Sequence, residues 1–123
     1  MEGNTATRHA DELLEIDKHL WTEGANYYQK NVDDECLVAF GKNARVMTRD
    51  EVASTVGDGP RWEEPETEVK GLVEPKKGFA VLTYQATAKR PDQDTPYVAL
   101  VSSGYVKHGD SWKLAFHQQT PMS

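Results

Sequence analysis

The second half of the chain alternates apolar and polar residues along four long segments, at residues 66–74, 79–90, 97–108 and 111–119. Glycine or proline lies in each of the three connections between them. Alternation with a period of two is typical of strands with one buried face, and short connections of this composition join neighbouring antiparallel strands. The sequence therefore predicts an antiparallel meander that dominates the fold.

The first half has a helical pattern over residues 8–30. Its apolar residues fall within one broad stripe at 100° per residue, and Gly24 lies on that stripe. We therefore expect Gly24 to mark a close approach to the sheet rather than a break. The members of the stripe are Ala10, Leu13, Leu14, Leu20, Trp21, Gly24 and Tyr28.

Two short strands and a short helix are predicted between these halves. The strands cover residues 36–40 and 44–47. Thr48 and Glu51 have the spacing of a capping box, in which the hydroxyl and the carboxylate each bind a free backbone N–H. The helix that they begin should end at Gly57, and a loop of glycine and proline should then carry Trp62.

This order of elements indicates an α+β fold formed by residues 1–123 as one domain. We expect a long N-terminal helix packed in a strongly curved, mostly antiparallel sheet. Such a sheet forms a cone with an open mouth, which is a natural place for a small-molecule pocket.

Composition excludes several classes of function. The net charge of -6 and the scattered basic residues argue against a nucleic-acid partner. No apolar run is long enough to span a membrane, and the first residues lack the features of a secretory signal. The single cysteine, Cys36, fits a reducing compartment and a buried apolar role. We expect a cytoplasmic protein.

Asp17 lies in the middle of the apolar helical stripe. A buried carboxylate costs several kcal/mol unless it is hydrogen-bonded or paired. It is either a general acid or base at the pocket floor, or a structural acid held by donors from the sheet. Because no second catalytic group stands beside it in the sequence, the structural interpretation is favoured.

Three polar residues, His117, Gln118 and Gln119, end the last strand. Strict alternation puts Gln118 on the core face with Trp112, so Gln118 is predicted to line the pocket. His117 and Gln119 would then face outward, at a subunit interface or the pocket rim. A bulge in this strand would reverse the assignment and would allow His117 to pair with Asp17.

Aromatic and small polar residues predict the pocket wall. Alanines beside Tyr84, and a similar mixture around Ser103 on the next strand, are typical of a cavity wall with polar tips. Trp62 is placed to cover the mouth, and each of these residues could equally be ordinary core. The predicted lining comprises Trp21, Tyr28, Trp62, Tyr84, Ser103 and Gln118.

Motifs for metals and cofactors are absent from the sequence. The four histidines have no metal-ligand spacing, and a single cysteine cannot supply a cysteine pair for zinc. No nucleophile elbow, phosphate-binding glycine loop or dinucleotide fingerprint is present. We expect no metal and no cofactor.

The chain resembles the nuclear transport factor 2-like (NTF2-like) superfamily, which has a cystatin-like cone fold. The resemblance covers almost the whole chain, and its nearest branch is domain of unknown function 4440, beside the SnoaL-like polyketide cyclases and the ketosteroid isomerases. It is carried by residues 13–21, the Pro60-Arg61-Trp62 loop, residues 101–103, residues 112–114 and residues 117–121.

The resemblance implies a fold more than an activity. Catalytic members of the superfamily use an aspartate base with tyrosine or acid donors, and Asp17 and Tyr84 are the candidates of those types here. Three hypotheses follow. In the first, the chain binds a small apolar or carbonyl-containing molecule and forms a homodimer through the sheet. In the second hypothesis, it is a lyase, isomerase or hydrolase that uses Asp17 as acid or base. In the third, it is a non-catalytic dimeric interaction module.

Overall fold

The computed structural model describes residues 2–40, 42–56 and 62–122. The expected helix end at Gly57, and the Pro60-Arg61 part of the loop before Trp62, lie outside these ranges. The elements are α1 (Glu2–Thr22), α2 (Ala25–Asn31), β1 (Val32–Phe40), β2 (Asn43–Thr48), α3 (Arg49–Ser54), β3 (Glu66–Lys76), β4 (Phe79–Ala88), β5 (Tyr97–His108) and β6 (Ser111–Pro121).

The strands form one curved sheet in the order β2-β1-β6-β5-β4-β3. The β1–β6 pair is parallel and the other pairs are antiparallel. The predicted α+β class and the four-strand meander are confirmed. The capping box is confirmed too, since Glu51 N–H donates to the Thr48 hydroxyl at 3.1 Å and Thr48 N–H donates to the Glu51 carboxylate at 2.8 Å.

The predicted single helix over residues 8–30 is wrong at its C-terminal end. α1 ends at Thr22, and Gly24 is the extended residue before α2, with φ -94° and ψ -164°. The break turns α2 back onto α1, so that the hydroxyl of Tyr28 donates to the carbonyl of Leu20 in the last turn of α1.

The core lies between α1 and the inner face of the sheet. Alternation along β4 and β5 is confirmed, because Leu82, Tyr84 and Val101 are fully buried while their strand neighbours face outward. Leu13 on α1 is also fully buried. Complete burial of each aliphatic side chain of this kind contributes about 1.5–3 kcal/mol to folding.

A β-bulge at Ala115 interrupts the alternation of β6. Gly104 pairs with Phe116 and Tyr105 pairs with Leu114, so Ala115 has no opposite residue on β5. The extra residue reverses the two faces for the rest of the strand. The faces of the residues beyond the bulge therefore differ from those that strict alternation predicts.

Candidate functional site

A cavity of about 660 Å³ opens at the end of the sheet formed by β1, β2 and β6. Most of the described residues in its wall are apolar or aromatic, namely Leu20, Trp21, Tyr28, Cys36, Val38, Phe40, Met47, Val52, Val56, Trp62, Tyr97 and Leu114. The polar members are Asn43, Arg45, Thr55, Arg90, His117 and Gln119. A cavity of this size and character is typical of a small-molecule site.

The bulge at Ala115 decides which polar residues of β6 reach this cavity. His117 and Gln119 line it, and Gln118 does not. The assignment that assumed strict alternation, with Gln118 in the pocket, is wrong. The alternative applies, in which a bulge reverses the faces, because the inserted residue shifts the side-chain alternation by one position.

The other residues predicted for the wall divide into two groups. Trp21, Tyr28 and Trp62 line the cavity. Tyr84 and Ser103 are fully buried and lie outside the lining. The structure therefore places only part of the predicted set against the cavity.

Three aromatic rings form one side of the wall. The centroid of Trp62 lies 5.4 Å from that of Trp21 and 5.5 Å from that of Tyr97. The guanidinium carbon of Arg90 lies 4.6 Å from the ring centroid of Trp62. These distances are those of aromatic pairs and of a cation–π contact, which hold large rings in fixed orientations.

A series of hydrogen-bonded side chains, here called the polar chain, crosses one side of the wall. Its members are Tyr97, Gln119, His117 and Ser103. The hydroxyl of Tyr97 donates to Oε1 of Gln119 at 3.0 Å. The amide nitrogen of Gln119 therefore faces Nε2 of His117, at 3.0 Å, and donates to it. With Nε2 as an acceptor, the proton of the neutral ring is on Nδ1, which donates to the hydroxyl of Ser103 at 2.8 Å.

The surroundings of His117 favour its neutral form. Burial lowers the pKa of His117, and this outweighs the opposite influence of the Asp17 carboxylate. A proton on Nε2 would also point at the amide hydrogens of Gln119. His117 thus presents an uncharged imidazole to the cavity near neutral pH.

Asp17 is held by two tyrosines beneath the cavity. Tyr105 donates to one carboxylate oxygen at 2.5 Å, and Tyr84 donates to the other. Trp21 Nε1 donates in turn to the hydroxyl of Tyr84 at 3.1 Å. Burial, the charge of Asp17 and the hydrogen bond to it raise the pKa of both tyrosines well above the ordinary value. The hydroxyls therefore remain donors.

This network gives Asp17 the geometry of a structural acid. It is fully buried and does not line the cavity. The bulge that would have allowed a pair with His117 is present, yet the imidazole binds Ser103 and Gln119 instead. The donors come from the sheet, as the structural interpretation expects.

Cys36 contributes a protonated thiol to the wall. It lines the cavity and is almost fully buried. Burial, with a smaller contribution from Asp17, raises the pKa of its thiol to about 12. The side chain therefore behaves as a small apolar group, as expected from its apolar neighbours in the sequence.

Sequence reasoning missed the two arginines of the wall, Arg45 and Arg90. Each stands near a strand end, where an arginine is normally solvated. Only the return of β1 alongside β6 and the contact with Trp62 bring them to one opening. No local signal in the sequence distinguishes them from other surface arginines.

The described ranges contain neither a metal site nor a membrane-spanning helix. No three His, Cys, Asp or Glu side chains among those residues are grouped so as to hold a metal ion. None of the helices there combines the length and apolar character needed to cross a membrane. The cytoplasmic location stays a prediction.

Comparison with known proteins gives matches in structure alone. No family model and no curated protein matches the sequence. An NTF2-like protein of unknown function from Silicibacter pomeroyi superposes with a TM-score of 0.66 at 11% identity, over 98% of this chain and 97% of its own. A domain of unknown function with a cystatin-like fold, from Nostoc punctiforme, gives 0.63 at 14% identity, over 93% and 78%.

A ketosteroid isomerase-like protein from Parabacteroides distasonis gives a TM-score of 0.64 at 11% identity, over 93% of this chain and 88% of its own. Likeness at such low identity concerns the fold and not the activity. The branch called domain of unknown function 4440 stays a prediction. The chain has the cone-shaped NTF2-like, cystatin-like fold that its sequence resemblance implied.

Proposed function

We propose that this protein binds a small, largely apolar molecule in the cavity. The observation that carries the proposal is the wall itself, in which aromatic and aliphatic side chains surround about 660 Å³ and one hydrogen-bonded polar chain faces inward. Ligand sites in proteins usually combine a mostly apolar lining with a few polar groups that fix orientation. The NTF2-like fold forms such a cavity between its helices and its curved sheet.

A carbonyl group on the ligand fits the polar chain. One amide hydrogen of Gln119 is used by His117, and the other has no partner among the described residues. It is therefore free to donate to a carbonyl oxygen. The bonds to Tyr97 and His117 fix the orientation of this amide, so little conformational entropy is lost when the ligand binds.

Catalysis by Asp17 is the less well supported alternative. Both carboxylate oxygens already accept hydroxyl protons, and no surface of the residue reaches the cavity. A general base must come within hydrogen-bond reach of the proton that it removes. Proton transfer by Asp17 would require Tyr84 or Tyr105 to leave the carboxylate first.

A second copy of the chain is the partner that we propose for the outer face of the sheet. One row crosses all six strands in direct register and consists of apolar residues and one glycine. Its members are Val46, Leu37, Phe116, Gly104, Val81 and Val73. Two of them, Val46 and Val73, are each 59% exposed, and a contiguous exposed apolar patch is typical of an interaction surface.

The charge of this face supports a symmetric contact. The outward residues of β4 from Phe79 to Thr87, and of β5 from Val98 to Val106, include no charged side chain. In a two-fold interface the same patch meets itself, so a charged patch would repel its own copy. Two central strands with no outward charge, in a chain that is 28% charged, remove that obstacle at the middle of the face.

Ligand binding is tested with the fluorescent probe N-phenylnaphthylamine, which is apolar and neutral. The Val38→Trp variant places an indole inside the cavity and should abolish the rise in probe fluorescence. Val69→Trp is the matched control, because Val69 is an exposed strand residue outside the lining. Thermal melting of both variants checks that they fold. Met47→Trp is a second blocking variant, which fills the cavity from another strand. Equal probe binding by all three variants would contradict the proposal.

A further inference from the structure

Among the residues that the structure describes, the charged members of the cavity wall are all of one sign. The chain has 20 acidic residues against 14 lysines and arginines. Nevertheless, the described lining contains two arginines, Arg45 and Arg90, and neither an aspartate nor a glutamate. Glu51 is paired with Arg45, so the positive charge of Arg90 is left uncompensated in the described wall and creates a local preference for anions.

Arg90 differs from other arginines of the chain in its partners. Arg45 lies 3.4 Å from Glu51, and Arg49 lies 3.3 Å from Asp34. Arg90 has no carboxylate within 4.0 Å among the described residues, and its guanidinium lies over the face of Trp62. Stacking on an indole leaves the edge of the guanidinium, with its N–H donors, free to bind a ligand.

We propose that the ligand is an amphiphilic carboxylate, with its apolar body against the aromatic wall and its carboxylate on Arg90. This inference rests on the proposed function and names the class of molecule that the site prefers. The planar guanidinium matches a carboxylate through two parallel hydrogen bonds. A cationic ligand is disfavoured, because the described wall offers it no counter-charge.

The positions of the two groups set the ligand's orientation. Trp62 contacts both Arg90 and Trp21, so the indole forms a continuous surface from the cation at the mouth to the apolar interior. A carboxylate at the mouth keeps part of its hydration while the body is buried. This arrangement avoids the cost of taking an ion fully out of water.

The test compares two ligands of nearly equal shape, para-phenylbenzoate and para-phenylbenzyl alcohol. Each is titrated as a competitor of N-phenylnaphthylamine. Wild-type protein should bind the carboxylate roughly 10-fold more tightly than the alcohol, which is the size expected of one charge-assisted contact at a partly solvated rim. Arg90→Gln should remove that preference, so that the carboxylate and the alcohol bind this variant with equal affinity.

Arg49→Gln is the matched control, since Arg49 is paired with Asp34 and lies outside the lining. It should keep the full preference for the carboxylate. An equal affinity of the wild type for both compounds, or a preference that survives in Arg90→Gln, would overturn the inference while leaving small-molecule binding intact. Failure of both compounds and of the probe to bind would instead overturn the proposed function.

Discussion

Tyr105 on β5 donates its hydroxyl to Asp17 on α1 across 2.5 Å, and both residues are fully buried. The contact ties the long helix to the centre of the sheet. Because Tyr84 occupies the other oxygen of the same carboxylate, the charge of Asp17 is distributed over two donors. This is how an acid is accommodated within an otherwise apolar core.

Removal of one donor should destabilise the protein without changing its fold. Tyr105→Phe leaves a buried carboxylate oxygen without its hydroxyl partner, and we expect a loss of about 2 kcal/mol in the free energy of unfolding. Urea denaturation measures the loss. Tyr27→Phe is the control, because Tyr27 is only partly buried and its hydroxyl forms no hydrogen bond with the other described residues. A cost no larger than that of the control would show that Asp17 does not need the Tyr105 hydroxyl.

His117 should make stability depend on pH. The pKa of His117 is lowered in the folded protein, whereas in the unfolded chain it is about 6.5. Between the two values the unfolded state binds more protons, so stability rises with pH in that window. The contribution of His117 is fully present above about pH 6.5 and is lost as the pH falls towards the folded-state value.

The measurement compares unfolding of the wild type and His117→Gln at several pH values from acid to neutral. The difference in their free energies of unfolding should grow as the pH rises, and the other three histidines cancel because both proteins contain them. A difference that is constant over this range would mean that the imidazole is not selectively held in its neutral form.

Gly104 should tolerate no large side chain. A Cβ built at this position would lie 3.2 Å from the Cβ of Phe116, and overpacking of this kind costs about 1–3 kcal/mol. We expect Gly104→Val to lower the free energy of unfolding by roughly that amount. Gly71→Val is the control, since a Cβ there meets nothing within 4 Å. Equal stability of the two variants would argue against the close packing of Phe116 on β5.

The apolar row on the outer face of the sheet, which runs from Val46 to Val73, should control the oligomeric state. Leu37 is 43% exposed and belongs to the row, and Val69 is 42% exposed and does not. Leu37→Glu should convert the proposed dimer to a monomer, because the new charge meets its own copy across a two-fold axis. Val69→Glu should leave it unchanged. Light scattering after gel filtration measures the mass, and a monomeric wild type would refute the dimer.

The parts of the fold that sequence could predict are those governed by local period. Alternation along β4 identifies the buried face of Tyr84 correctly, and the spacing of Thr48 and Glu51 gives the start of α3. Each is decided by residues a few positions apart. Helix breaks at glycine are harder to predict. The predicted continuous helix through Gly24 was wrong, because the apolar stripe continues through this residue although its backbone is extended.

The candidate site was only partly predictable, for a physical reason. One unpaired residue, Ala115, moves His117 to the inside and Gln118 to the outside. Nothing in the composition of β6 marks that residue, since its position depends on how Gly104 and Tyr105 pair across from it. The environment of Asp17 was easier, because a carboxylate on an apolar face must find donors wherever the sheet lies.

The parallel pairing of β1 with β6 has a consequence for how the molecule is made. Val38 and His117 lie opposite each other, although most of the chain separates them in sequence. Contacts of such long sequence separation form slowly, since the intervening chain must be ordered before they are gained. The wall that contains both residues therefore closes late in folding. A nascent chain on the ribosome can build the β3–β5 meander early, but it cannot capture a ligand until β6 has emerged.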